Sequence, residues 1–234
     1  EALYWMAKSY VSLNEPAKAA DIYINLQKKY PKSEFAPTAM LENALLQKNH
    51  GDANKADSIF LSLQELYPDD QSAAQAGFER ASIKYSLGDT SKAIAILNSV
   101  INDYETSEFA DQSLHLLGMY YRSKGIVDSA RYYLVQLAEQ DHNLSLAAEA
   151  RYRLGELCMR EDSCEAAVKE FEIVKDKFSG FEDWFTLSLL AMGECYEKLE
   201  QYDSAREVYQ VVYGLRAEDD YGKTAKRRIQ RLPK

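Results

Sequence analysis

"AKAADIYINL", residues 17–26, places Ala19, Tyr23 and Leu26 at i, i+4 and i+7, one face of an α-helix. Steps of 37 residues from Ala19 land on Ala56, Ala93, Ala130 and Ala167, and one step of 38 then reaches Ala205. Four residues after each alanine stand Tyr23, Phe60, Leu97, Leu134, Phe171 and Tyr209. Seven residues after stand Leu26, Leu63, Val100, Leu137, Val174 and Val212. Twelve residues before each alanine is a second small residue: Ala7, Ala44, Ala81, Gly118, Gly155 and Gly193. The spacing predicts six units of two helices, each helix with one small residue where a neighbour approaches closely.

The connections fit this register. Gly51, Gly88 and Gly125 fall between the two helices of their units, where a left-handed helix stop is cheap for glycine. Pro16 and Pro37 suit the first turns of helices, and Pro31 and Pro68 follow Tyr30 and Tyr67 at helix ends. "SEFA" at 33–36 and again at 107–110 opens the first helices of units two and four, with Ser as the cap. Ala36, Ala73, Ala110 and Ala147 form a third small column there. The extra residue falls in "KDKFSGFEDWF", a Gly-containing linker whose aromatic cluster is expected to pack the displaced helix against unit five.

A helix pair cannot bury its apolar face alone, whereas stacked copies bury a continuous core. The expected fold is all-α, a right-handed superhelical solenoid of six helical hairpins within one domain spanning 1–234. Its units are about 1–32, 33–69, 70–106, 107–143, 144–181 and 182–218, followed by a capping helix over about 219–232.

Composition narrows the function. With 46% hydrophobic residues among 234, the chain can bury a substantial core. A net charge of −9 gives no footprint for a phosphate backbone, so nucleic acid is not an expected partner. No run of 18 apolar residues predicts a membrane span. The chain opens with Glu1 inside a helical pattern, which reads as a piece of a longer protein with any targeting signal upstream.

These columns resemble the tetratricopeptide repeat. The closest units are "LLGMYYRSKGIVDSARYYLVQLAEQ" (116–140) and "AMGECYEKLEQYDSAREVYQVVY" (191–213), where Gly118 with Tyr121, and Gly193 with Tyr196, precede the turn and the alanine. The 37-residue period, with linkers such as "YPKSEFAPTA", is similar to tetratricopeptide proteins of the Gram-negative cell envelope. Examples are the coordinator associated with the Tol-Pal system and the lipoprotein of the outer-membrane assembly machinery. The resemblance implies a cell-envelope or periplasmic location. Asn43, Arg80, Lys84 and Arg151 depart from the family by standing where apolar residues are common.

No catalytic constellation emerges, so no enzyme activity, cofactor or metal is expected. His50, His115 and His142 fall at different places in different units, and HExxH, CxxC and GxSxG are absent. Glu194 and Glu197 share a helix face and read as solvated carboxylates. Cys158 and Cys164 flank the turn of unit five, either close enough to bond or simply packed as small apolar residues. The basic C-terminal segment, Lys223 to Lys234, reads as the solvated face of the cap helix.

The resemblance implies a non-catalytic scaffold or adaptor that holds a protein or peptide on the face formed by the first helices. Counting three before, one after and four after the first small column gives that face. Its candidate residues are Tyr4, Leu41, Phe78, Tyr85, His115, Met119, Arg122, Tyr152, Glu156 and Met159. Chaperone-tail clamps of this family use Lys, Asn and Arg on this face, whereas the three-before column here reads Tyr, Leu, Phe, His, Tyr, Leu, so no such clamp is expected. Two alternatives stand beside the scaffold: weak self-association, and a regulatory input domain attached to an effector outside this segment.

Overall fold

Thirteen helices and their connections make up residues 1–233, the residues that this computed structural model describes. In the first three units α1 (Ala2–Ser12) is followed by α2 (Pro16–Lys29), α3 (Phe35–Asn49) by α4 (Ala53–Leu66), and α5 (Gln71–Ser86) by α6 (Thr90–Asp103). In the next three α7 (Glu108–Ser123) is followed by α8 (Val127–Ala138), α9 (Leu144–Arg160) by α10 (Cys164–Lys177), and α11 (Glu182–Lys198) by α12 (Tyr202–Arg216). α13 (Asp220–Arg231) is the last helix. No strand occurs among the described residues. The chain divides into two compact units, Glu1–Ser113 and Leu114–Lys234.

Every position of the small and large columns is buried. The glycines explain why the first-helix column must be small. A Cβ on Gly118 would lie 3.0 Å from Leu134, on Gly155 2.3 Å from Phe171, and on Gly193 2.3 Å from Tyr209. The small residue of each of these first helices therefore faces the large residue of its own second helix, and the pair sets how closely the hairpin closes.

The turn inside each hairpin is the same six times. Gly51, Gly88 and Gly125 have φ of 86°, 83° and 71°. Asn14, Asp162 and Glu200 occupy the matching places at 57°, 55° and 59°. In each, the next residue donates its N–H to the carbonyl five residues back, as Asp52 does to Gln47 at 2.9 Å and Gln201 to Tyr196 at 2.8 Å. The left-handed conformation costs an L side chain roughly 1–2 kcal/mol. Replacing Glu200 by glycine is therefore expected to stabilise the protein by about 0.5–1 kcal/mol, after the extra chain entropy of glycine is deducted. A urea melt of the variant checks it.

Helix starts follow the polar residues. Asp52, Asp89, Asp70 and Asn143 accept backbone N–H groups of their helices' first turns. Ser107, just before α7, accepts from the N–H of Phe109, whereas Ser33 lies one residue outside the N-cap Glu34 of α3 and accepts from the N–H of Phe35.

The family departures each find a polar partner, although Arg151 Nε is buried without one. Arg80 of α5 reaches back to Asp57 at 3.1 Å and Gln64 at 2.8 Å on α4, and Lys84 shares Asp57. Arg151 pairs with Glu170 at 3.1 Å. Asn43 is buried and accepts from Gln47 at 3.2 Å. Arg80, Lys84 and Arg151 find these partners on neighbouring helices and Asn43 on its own, which reduces the cost of burying them.

In Leu114–Lys234 one core cluster joins Phe171, Cys158, Cys164, Cys195 and Tyr209 and runs on to Ala225 of α13 and Leu232 just after it. The three thiols are free and buried. Burial, aided by its hydrogen bond with Cys164, pushes the Cys195 thiol up to about 12. At the irregular junction, Phe178 is buried with Ala147, Ala148 and Val174, and Phe181 and Trp184 pack against them. The aromatic cluster thus holds α11 in place.

Candidate functional site

The first helices carry the candidate face, and it is described in each compact unit separately. In Glu1–Ser113, Tyr4 is buried among the rings of Trp5, Tyr23 and Phe35, at centroid distances of 5.3, 6.1 and 5.4 Å. Leu41 is buried in a core with Phe60 and Ala73. Phe78 is half-buried, its ring 5.7 Å from Phe109. Tyr85 stands out at 59% exposure.

In Leu114–Lys234 the face is charged and closely tied. His115 Nε2 lies 3.3 Å from Glu149, and Arg122 meets Glu156 at 2.7 Å. Arg153 bridges Glu149 and Glu156 at 3.1 and 2.9 Å and covers the rings of Tyr152 and Trp184. Burial opposes ionisation of Glu149, but His115 and Arg153 beside it outweigh that and hold its carboxyl below the ordinary range. Tyr152 packs on Phe171 and Trp184, and burial together with nearby Glu156 pushes its phenol up to about 12. Met119 and Met159 remain partly exposed.

Glu194 and Glu197 keep part of their surface in solvent but are also tied to neighbouring helices. Arg228 of α13 donates to them at 2.7 and 3.2 Å, and the buried hydroxyl of Tyr209 donates to Glu197 at 2.6 Å. Their geometry fastens the last helix to α11. Among the described residues no group of three or more His, Cys, Asp or Glu side chains is placed to hold a metal. No described helix is long and apolar enough to cross a membrane.

Sequence reasoning missed the ion pairs that link one first helix to the next. Lys8–Glu42 at 2.7 Å and Lys48–Glu79 at 2.5 Å lie in the first unit. Arg122–Glu156 repeats the arrangement in the second, where Arg228 of α13 also reaches back to Glu194 and Glu197 in the opposite order. The signal was present as a cation one or four residues after the small column with an acid 31–34 residues on. Exposed pairs of this kind contribute up to about 1 kcal/mol each, so they set register and surface charge more than stability.

The tetratricopeptide repeat model matches residues 1–33, and that of the tetratricopeptide repeat-like domain matches residues 64–232. The chain belongs to the tetratricopeptide repeat family. No curated protein matches it. Among solved structures it is similar to a tetratricopeptide repeat protein of Parabacteroides merdae, 12% identical, with 98% of this chain and 96% of that chain covered and a TM-score of 0.52. It is similar to YrrB, a tetratricopeptide protein with an unusual peptide-binding site, at 16% identity over 89% and 99% of the two chains, TM-score 0.56. It is also similar to PilW, a type IV pilus biogenesis factor, at 17% identity over 96% and 97%, TM-score 0.53. At these identities the likeness is one of fold. Tetratricopeptide repeat proteins are in general protein–protein interaction scaffolds without catalysis of their own.

Proposed function

We propose that this chain is a non-catalytic adaptor module that holds a segment of another protein on its first-helix face by apolar anchors set between charged rungs. Tyr85 carries the reading. It is 59% exposed and lies two turns along α5 from half-buried Phe78. Exposed aromatic side chains on a rigid helical surface are the residues that dominate binding hot spots. Met119 and Met159 extend the apolar supply in the other unit with side chains that adapt to varied partners. Lys8, Lys48, Arg122 and Arg228 are each already paired with a carboxylate of the face. That supports an extended or helical segment with apolar side chains over a free acidic tail.

The 37-residue variant of the repeat supports a place in the cell envelope of a Gram-negative bacterium, and fractionation of the source organism tests it. For the binding face, the experiment is affinity capture with the native chain and with a Tyr85→Ser, Met119→Ser variant. Neither side chain is fully buried, so the fold is expected to survive. Loss of one hot-spot residue costs about 2 kcal/mol, so a true partner should bind the variant at least about 30-fold more weakly. A partner bound equally by both chains rules out this face.

A further inference from the structure

A cleft of about 980 Å³ opens where the connections into α5 and α7 run side by side, wholly within Glu1–Ser113. Its floor includes Leu41, Tyr104 and Phe109. Around it stand Asp69, Asp70, Asp103, Glu105 and Glu108, and no Lys, Arg or His lines it. The carboxylates of the first-helix faces are neutralised by cations, but none of these five pairs with one among the described residues. Asp70 accepts only a backbone N–H from Ser72, and Asp103 the hydroxyl of Ser99. A cleft walled by one sign of charge focuses the field and draws a cationic occupant.

The chain carries such an occupant. Although its net charge is −9, α13 presents Lys223, Lys226, Arg227 and Arg231 as exposed side chains. A second, smaller concavity of about 330 Å³ is lined by Thr224, Arg227, Arg228 and Arg231 and by no carboxylate. Arg228 is committed to Glu194 and Glu197, whereas Arg231 makes no ion pair among the described residues.

We infer that the acidic cleft receives the cationic face of α13 from a second copy of this chain, giving a salt-sensitive head-to-tail association. The fit is chemical as well as electrostatic. Arginine stems can lie along apolar floor residues, the guanidinium planes can cover Tyr104 or Phe109, and the N–H forks meet rim carboxylates in pairs. The two surfaces differ, so the contact is heterologous. A single such contact leaves one cleft and one cap free to engage further copies.

Sedimentation velocity of the purified chain tests this with two doubly substituted variants. One reverses the cleft, Asp103→Lys with Glu105→Lys. The other reverses the cap, Arg227→Glu with Arg231→Glu. All four side chains are exposed, so both variants are expected to fold, which circular dichroism checks. The native chain should form concentration-dependent oligomers at about 50 mM salt and dissociate by about 500 mM, where screening shortens the reach of the charges. Each variant alone should associate at least about tenfold more weakly. An equimolar mixture pairs the intact cap of one with the intact cleft of the other, and the two reversed surfaces also complement each other, so mixing should restore association that neither variant shows alone. Association of either variant at native strength, or a mixture that stays monomeric, overturns the proposal. So does a native chain that is monomeric at low salt. In that event, binding of a Lys/Arg-rich peptide to the native chain but not to the cleft variant would assign the cleft to a basic segment of another protein.

Discussion

Truncating Phe171 to alanine is expected to lower the unfolding free energy by about 3–5 kcal/mol, the range for removing a fully buried phenylalanine ring. The ring is sealed in a core with Leu189, Met192 and Tyr209 and packs in a tilted arrangement 5.7 Å from the Tyr152 ring. Its edge occupies the space where a side chain on Gly155 would begin, with ring carbons 2.3, 2.6 and 2.8 Å from that point. Two residues 16 apart thus share one volume. Gly155→Ala alone gains up to about 1 kcal/mol of helix propensity, yet it drives a methyl into a ring with nowhere to move. The net expectation is a loss of about 1–2 kcal/mol. Made together, the substitutions should cost less than their sum by at least about 1 kcal/mol, because the new methyl enters the space the ring has left. Urea melts of the two single variants and the double variant measure this coupling. Additive costs would mean that the glycine column does not set the hairpin spacing.

The same pairing shows why the fold was legible. A column of small residues at a 37-residue period can be read directly, because only close packing keeps six positions at Ala or Gly against six large partners. The left-handed turn residues were legible only in part. Gly51, Gly88 and Gly125 announce the conformation, while Asn14, Asp162 and Glu200 adopt it without a compositional sign. There the hairpin's helix packing imposes the backbone angle on whatever residue the position holds.

The face was less legible than the fold. Spacing identified which residues lie along the first helices, but it could not tell a residue presented to solvent from one wedged between adjacent first helices. Tyr4 and Leu41 belong to the wedged kind, and Tyr152 is mostly enclosed by Phe171 and Trp184. Tyr85, four residues after its small residue, and Met119, one after, stay at least partly accessible. The difference depends on which neighbours are bulky. The charged rungs were hidden for a related reason, since a lysine and a glutamate 34 residues apart become partners only once the stacking register is known.

Gly222→Ala is expected to cost about 3 kcal/mol, the upper end for overpacking, because the obstacle is backbone rather than side chain. An added Cβ would fall 1.9 Å from the carbonyl oxygen of Arg216 and 2.9 Å from the Cα of Ala217. Gly222 stands 17 residues after Ala205, as Ala36, Ala73, Ala110 and Ala147 stand 17 after their own second-helix alanines, so α13 continues the register as a further first helix. Those four positions hold a methyl because four or five residues separate the helices before them, whereas only residues 217–219 separate α12 from α13. The short link presses the end of α12 onto the start of α13, and Asp219 locks it by accepting from Tyr221 and Gly222 at 2.9 and 3.1 Å while also holding Arg216. Alanine at 222 must push α13 away, uncovering Ala225 and Leu232 and pulling Arg228 from Glu194 and Glu197. Hydrogen exchange should then show lost protection across α13 together with a lower urea midpoint. Gly214→Ala serves as the control, since its Cβ would meet nothing within 4 Å and helix propensity alone should stabilise it by up to about 1 kcal/mol. If the two alanines behave alike, the short link can relax and the last helix is not held by that contact.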